Sequence, residues 1–377
     1  MENLQQFRAE ALQSQDPRKM LDLAKYMMEV MNIVCQKANA TDPKRAKKIR
    51  DSMTLEAQKI VKKLASNSGM GKTGYGEAQF YLADCYGSGK LGLLVDQDKA
   101  FSLYLQGSKQ NHAGCTYRVA ICYEAGAGTK KDNGHAIQFL KKAAHLGEVR
   151  AMHRLAMMLL RGSLGQPKNP REGISWLERA AAQADEDYPQ PIHDLGVAYE
   201  KEGIPSVIPD INYARDLFTT AAQYGYAPSQ FKLGLAYENG FLNCPIDPRR
   251  SIAWYSKAAE QDDIESELAL SGWYLTGADG VLQQNDGEAY LWARKAADKG
   301  NAKAEYAVGY YTETGVGVAQ NLQEAKKWYM RAAAQNNRRA MLRLTELKKH
   351  GHLQQRKNHT RQNGGGRPEK DSDCSIM

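Results

Sequence analysis

The sequence predicts an all-α fold: an α-solenoid of about seven helical hairpins, with an N-terminal helical cap and a disordered C-terminal tail. The first observation behind this prediction is a repeat. Pairs of alanines close successive copies between Ala143 and Ala333, at steps of 37, 41, 37, 38 and 36 residues. Gly107-Ser108 takes the same place 36 residues before the first pair. A fixed period in this range indicates stacked repeats that bury their apolar faces against their neighbours.

The second observation is the pattern within one repeat, which is clearest from Tyr226 to Ala259. Its first half has apolar residues at helical spacing and stops at Gly240. Its second half opens with Asp247-Pro248, a capping residue followed by a proline at the first helical position. Each half therefore predicts an amphipathic helix, and together they predict a helical hairpin. We expect Gly234 at a close helix crossing, with a tyrosine a few residues away covering the gap.

Four segments follow from this pattern. Residues 1–16 are expected to be a short flexible N-terminus, and residues 17–70 a helical cap whose methionines pack in its core. The repeat solenoid is predicted over residues 77–347, and a last helix from Arg338 to Leu347 closes it without a second half. Residues 348–377 are rich in Lys, Arg, Gln, Asn, His and Gly, a composition typical of a disordered tether.

The charge is unevenly distributed along the chain. The net charge is +8, but residues 77–336 carry 27 Lys and Arg against 31 Asp and Glu. Residues 1–76 carry 14 basic against 8 acidic residues, and residues 337–377 carry 10 against 4. A nucleic-acid-binding protein is expected to show its basic stripe on the folded surface, so we predict no nucleic-acid partner.

No pattern for catalysis, a cofactor or a metal is found. The six cysteines contain no CxxC pair and the eight histidines are dispersed, so no catalytic, cofactor-binding or metal-ligating residue is assigned. The recurring tryptophans of the second helices are interpreted as structural. The N-terminus lacks a signal-peptide pattern, and no apolar run approaches the roughly 18 residues of a membrane span. An enzyme is not expected.

The copy that ends at Ala222 is longer than the others. Its extra residues include the acidic stretch Asp185, Glu186, Asp187 and Tyr188. Insertions in repeat proteins lie in loops, often on a binding face, so these four residues are candidate partner contacts. Tolerated loop variation remains an equally good interpretation.

The last four residues, Cys374-Ser375-Ile376-Met377, match a prenylation signal in which the terminal methionine favours a farnesyl group. Ser375 departs mildly from the aliphatic preference at its position. One lipid chain gives only marginal membrane binding, so a basic segment is expected to supply the second contact. The basic residues assigned to this contact are Lys348, Lys349, Arg356, Lys357, Arg361, Arg367 and Lys370.

The repeats resemble Sel-one-like repeats, relatives of the tetratricopeptide class, in their Leu-Gly-x-x-Tyr and Trp-Tyr-x-x-Ala-Ala elements. More narrowly, residues 77–86, 117–124 and 151–156, with the prenylation signal, resemble the fungal chitin synthase activators. The resemblance covers residues 17–347 and the last four.

This resemblance implies a non-catalytic partner that activates or localises a membrane chitin synthase during cell wall synthesis. The protein would act at the cytoplasmic face of the plasma membrane, at septa or growth sites, with a cytosolic pool. The alternative is a general adaptor in signalling or protein quality control.

Overall fold

The computed structural model describes residues 2–14, 16–39, 43–66 and 74–349. Within these ranges the regular elements are α-helices and one isolated bridge between Ala278 and Leu282. The predicted fold class of helical hairpins is therefore confirmed. The chain divides into two compact units, the first ending at Pro209 and the second beginning at Asp210.

The first unit is a series of helices joined by short loops. Neighbours in the chain pack as the hairpins α2–α3, α4–α5, α6–α7 and α8–α9, and α10 packs on α9. The helices are α1 (Glu2–Ser14), α2 (Pro17–Asn39), α3 (Pro43–Ala65), α4 (Gly76–Ser88), α5 (Gln97–Lys109), α6 (Ala113–Ala125), α7 (Asn133–His145), α8 (Val149–Arg161), α9 (Pro170–Ala182) and α10 (Gln190–Glu200).

The second unit repeats the same arrangement. Here α11 packs on α12, and the hairpins are α12–α13, α14–α15 and α16–α17. Residues 338–349 are also helical and are called α18. The other helices are α11 (Ile211–Gln223), α12 (Ala227–Asn239), α13 (Pro248–Ala259), α14 (Ile264–Thr276), α15 (Asp286–Asp298), α16 (Ala302–Thr314) and α17 (Leu322–Ala334).

The N-terminal segment corrects one expectation. Residues 2–14 form α1 rather than a flexible stretch. Phe7 and Ala11 fall on one helical face, Ala11 is fully buried against Leu23 and Met27, and the Phe7 ring meets the Tyr26 ring edge-on. The apolar stripe is short, but it finds a partner surface on α2, and tertiary packing is what stabilises most helices.

Helix ends follow the residue chemistry of each repeat. The first helix α12 ends at Gly240, whose φ of 74° is in the left-handed region that favours glycine. The second helices begin at Asp or Asn residues whose side chains accept a hydrogen bond from a backbone N–H of the first turn. These capping residues are Asp96, Asp132, Asn169, Asp210, Asp247, Asn285 and Asn321.

In two hairpins, α12–α13 and α16–α17, the helices approach closely at a glycine of the first helix. A Cβ atom at Gly234 would lie 2.6 Å from the ring of Tyr255, and one at Gly309 would lie 2.7 Å from the ring of Tyr329. The residue covering the gap is therefore a tyrosine of the second helix, which corrects the expectation of a nearby one on the first. Tyr237 instead lies half-buried under Arg250.

Each of these two tyrosines is also tied back to the first helix. The Tyr255 hydroxyl donates to Glu238 at 2.6 Å, and the Tyr329 hydroxyl donates to Glu313 at 2.7 Å. Burial, with the adjacent carboxylate, raises the pKa of both phenols. A neutral hydroxyl that donates to a carboxylate makes a charge-assisted hydrogen bond. Each crossing is therefore held both by ring packing and by this hydrogen bond between the two helices.

In the hairpins α14–α15 and α16–α17 the first helix carries a buried glutamate, which lies four residues before Ser271 in α14 and four residues before Gly309 in α16. Glu267 is fully buried and accepts from Lys295 at 2.8 Å and from Lys299 at 2.7 Å. Glu305, 2% exposed, accepts from Arg331 at 3.1 Å and from Gln335 at 2.8 Å. Each carboxylate joins a first helix to the second helix that follows it. These buried acids therefore have a structural role.

The crossing at Gly234 generates a stability prediction. Gly234→Ala should lower the free energy of unfolding by about 1–3 kcal/mol, because the added methyl group overlaps the buried Tyr255 ring. The matched control is Gly272→Ala in α14, where nothing lies within 4 Å of the added atom. That change should be neutral or stabilising by about 0.5–1 kcal/mol. Denaturant unfolding of both variants tests the point, and equal effects would contradict the crossing.

Candidate partner-binding site

A groove of about 410 Å³ opens on the first unit between α6, α8 and the segment that precedes α10. Side chains from three successive repeats line it, among them Tyr117 of α6, Arg154 and Met157 of α8, and Tyr188. We call this feature the α8 groove. The repeat spacing brings residues from Tyr117 to Tyr188 into one surface.

Helix α8 supplies the floor of the groove because its two faces differ in chemistry. Met152, Leu155 and Ala156 are buried on one face. His153, Met157 and Arg161 are four residues apart and share another face, since residues i and i+4 lie one above the other on a helix. The same helix therefore packs into the unit and presents polar side chains to the groove.

A ladder of ion pairs and one hydrogen bond joins the first helices of successive repeats. Each pair links a side chain on one first helix to the corresponding region of the next, so it holds the helices in register. Two of them are ion pairs, Asp84 with Arg118 at 3.0 Å and Glu124 with Arg154 at 2.6 Å, and the third is a hydrogen bond between His153 Nε2 and the Asp194 carboxylate at 2.7 Å. The pairs are partly exposed, so each contributes modestly to stability. The contacts of Arg154 and His153 also fix side chains that line the groove.

The loop before α10 is built around Asp185 and Tyr188. The Asp185 carboxylate accepts hydrogen bonds from the backbone N–H groups of Asp187 at 3.1 Å and Tyr188 at 3.0 Å. The Tyr188 hydroxyl lies 2.7 Å from Nδ1 of His153, and the Arg150 guanidinium lies 5.2 Å from the centre of the Tyr188 ring. The loop is therefore a folded wall of the groove.

The side chains of the groove favour binding of a partner over proton transfer by His153. Both ring nitrogens of His153 are engaged, Nδ1 by Tyr188 and Nε2 by the Asp194 carboxylate. No nitrogen is left to accept a proton from Ser163, which also lines the groove. Tyrosine, arginine and methionine are enriched in the cores of protein interfaces, and they dominate this surface.

Metal-ligand clusters and membrane-spanning helices are both absent from the described part of the chain. Within residues 2–14, 16–39, 43–66 and 74–349, no group of three or more His, Cys, Asp or Glu side chains is placed to hold a metal ion. No helix in the described part of the chain is long and apolar enough to cross a bilayer.

The residues singled out from the sequence fall into three groups. Asp185, Glu186 and Asp187 are exposed on the loop before α10 and do not line the groove, whereas Tyr188 is half-buried and lines it. Lys348 and Lys349 are exposed on α18. The remaining predicted contacts lie outside the described residues: Arg356, Lys357, Arg361, Arg367, Lys370 and Cys374.

The α8 residues of the groove were missed by the sequence reasoning. The signal that points to them is the i, i+4, i+8 spacing of His153, Met157 and Arg161, opposite a fully apolar stripe. Sequence alone did not single out this face, because first helices elsewhere also carry exposed polar side chains.

Comparison with known families identifies the repeat. Seven consecutive segments match the Sel1 repeat, and they run without a large gap through both units. The matched segments are residues 76–112, 113–148, 149–185, 192–226, 227–263, 264–301 and 302–337. The chain belongs to the Sel1 repeat family.

Several relatives of this Sel1 repeat chain are named as regulators of chitin synthase. Chitin synthase regulatory factor 3 of Schizosaccharomyces pombe is 45% identical over 270 residues, covering 72% of this chain and 29% of the relative. The chitin synthase regulators SKT5 of Malassezia restricta and Saccharomyces cerevisiae are 39% and 33% identical, each covering 91% of this chain. The resemblance drawn from the repeat motifs is confirmed, and the names agree with the prediction of a non-catalytic protein.

The chain spans half or less of each relative, since the matches cover 24% and 50% of the two SKT5 proteins. Among solved structures, a Sel1 repeat protein from Oxalobacter formigenes matches with a TM-score of 0.59 and 22% identity. That match covers 91% of this chain and 89% of the other. It supports the repeat fold.

The groove wall generates the second prediction. Asp185→Ala removes the acceptor of two backbone N–H groups and should cost about 1 kcal/mol of stability while exposing the loop to protease. Glu186→Ala is the matched control, because the neighbouring Glu186 is exposed and should leave cleavage unchanged. Limited proteolysis with mass analysis of the fragments measures the effect. Equal cleavage in the two variants would show that the Asp185 turn does not hold the loop.

Proposed function

We propose that this protein is a non-catalytic regulator that binds a membrane chitin synthase and keeps it active or correctly placed during cell wall synthesis. The observation that carries the proposal is the set of relatives named as chitin synthase regulators, which align with 72–91% of this chain. The proposed location is the cytoplasmic face of the plasma membrane at septa or growth sites.

The α8 groove is the proposed contact with the synthase. It is a ready-made concave surface, and its aromatic and cationic side chains are already oriented by ion pairs and hydrogen bonds. A surface that is ordered before binding loses little conformational entropy when a partner docks. Met157 and Arg161 take no part in the ion-pair ladder, so they are the groove residues that can be altered without disturbing its frame.

Membrane anchoring through Cys374 is the second part of the proposal. A farnesyl group on this cysteine would supply hydrophobic affinity, and the basic residues from Lys348 to Lys370 would add attraction to anionic lipids. The described cysteines are poor competitors for modification. Burial raises the pKa of the Cys85 thiol to about 11 and that of Cys115 to about 12. Those thiols remain protonated at neutral pH and out of reach.

Anchoring and groove binding cooperate in this proposal. A regulator held on the membrane meets a membrane enzyme at a high local concentration, without any additional contact. A groove of modest intrinsic affinity would then suffice. The competing function, a general adaptor, predicts the same groove with a different occupant, so the identity of the captured partner separates the two.

The groove proposal is tested by affinity capture. Met157→Glu with Arg161→Glu should reduce capture of chitin synthase from detergent-solubilised membranes by about tenfold or more, as expected for residues in an interface core. The control is Lys168→Glu with Arg171→Glu, two exposed cations outside the groove lining. Equal capture by the two double variants would contradict binding through the groove. Capture of a different protein in place of the synthase would support the adaptor function.

The anchor is tested by Cys374→Ser. The variant should become largely cytosolic, since the basic segment alone holds the protein weakly and salt screens that attraction. Chitin deposition should fall by more than any loss of intrinsic affinity for the synthase, and overexpression should partly restore it. Fractionation of membranes at low and high salt, with chitin staining, measures both. Retention of the variant on membranes in high salt would contradict the anchor.

A further inference from the structure

Helix α18 corresponds to the first helix of a repeat, and no second helix packs on it within the described residues. Asn337 begins it: its side chain accepts from the Ala340 N–H at 3.1 Å and donates to the Ala302 carbonyl at 3.1 Å. Ala340 is fully buried, and Leu344 and Leu347 pack on the Tyr329 cluster of the preceding hairpin. One face of α18 is thus occupied by the second unit.

The opposite face of α18 forms a narrow exposed stripe. Arg338, Leu342, Thr345 and Lys349 are spaced by four, three and four residues, so they lie in line along the helix. All four are exposed, and Leu342 keeps 66% of its surface accessible. Met341, 39% exposed, lies beside this stripe. We call these five residues the α18 face.

The exposed charges around this face are mostly positive. Arg338 and Arg339 lie at the start of the helix, Lys348 and Lys349 lie at its end, and all four are exposed. The acidic residue of α18, Glu346, is held by Arg343 at 2.7 Å. A leucine thus lies between two pairs of cations. Elsewhere on this unit exposed cations alternate with acids, as in the pairs Lys327–Glu324 and Arg294–Asp298.

We propose that the α18 face is a membrane-contact surface that rests on anionic lipid headgroups, with Leu342 and Met341 entering the interface. The inference deepens the proposed membrane function and rests on it. Amphipathic helices with cations around an apolar stripe bind in this way, through buried apolar area together with attraction to anionic lipids. The basic residues that follow α18 in sequence continue the same charge toward Cys374.

A face of this kind orients the protein as well as holding it. A lipid chain on a long tether places a protein near the bilayer but leaves its orientation free. A contact made by a folded helix adds a fixed direction to the second unit, because α18 packs on α17 and Arg343 of α18 donates a hydrogen bond to Glu313 of α16. The sequence alone gave Lys348 and Lys349 as contacts, while the structure adds Arg338, Met341 and Leu342 on the same surface.

The test uses the full chain carrying Cys374→Ser, so that no lipid group contributes. Its binding is measured by co-sedimentation with phosphatidylcholine vesicles that contain roughly 30% phosphatidylserine, and with vesicles that lack it. Arg338→Glu with Leu342→Glu should weaken binding to the anionic vesicles by about tenfold or more. The control is Arg249→Glu with Leu291→Glu, where Leu291 is 60% exposed on α15 and Arg249 is exposed on α13.

The control has the same charge change and should retain binding to within about twofold. Circular dichroism checks folding, and the milder pair Leu342→Ser with Lys349→Gln should weaken binding in the same direction. Equal loss in the test and control variants would overturn the proposal, as would unchanged binding of the test variant. A change from dimer to monomer in sedimentation, with vesicle binding unchanged, would assign the face to a second copy instead. These outcomes are independent of synthase capture and of lipidation in cells.

Discussion

The close helix crossings inside the hairpins α12–α13 and α16–α17 are the constraint on which the second unit depends. At Gly234 and Gly309 the backbone of the first helix touches the ring of a buried tyrosine, and only a residue without a side chain fits there. The tyrosine hydroxyl then binds a glutamate one turn further on, so the same ring fills the gap and fixes the register. Since each hairpin buries its apolar stripe against its neighbours, an error at one crossing would propagate through the unit.

Regular stacking is what brings ordinary first-helix side chains together into the candidate binding surface. The contacts from Asp84–Arg118 to His153–Asp194 join helices that are about one repeat apart in sequence, and those of Arg154 and His153 fix side chains of the α8 groove. None of these contacts is local, so the groove exists only when three repeats are correctly stacked.

Much of the fold was predictable because its signals are local and repeated. Helix starts at Asp or Asn and stops at glycine can be read from a few residues, and the alanine pairs set the period. The tyrosine at each crossing was assigned to the wrong helix, because Tyr237 and Tyr255 both have helical spacing and only the loop geometry decides which ring meets Gly234. The N-terminal helix was missed because its short apolar stripe becomes helical through packing on α2. His153 and Tyr188 are 35 residues apart, and no local sequence pattern indicates that their side chains are in contact.

The proposed function divides the work between two surfaces, the α8 groove for the partner and the α18 face with the lipidated tail for the membrane. The most direct test of the central claim is hydrogen–deuterium exchange of the protein alone and with chitin synthase in membranes. The account predicts slower exchange in α6, in α8 and in the loop around Tyr188, with little change in α13 and α15. Unchanged exchange around α8, with protection confined to other repeats, would contradict it.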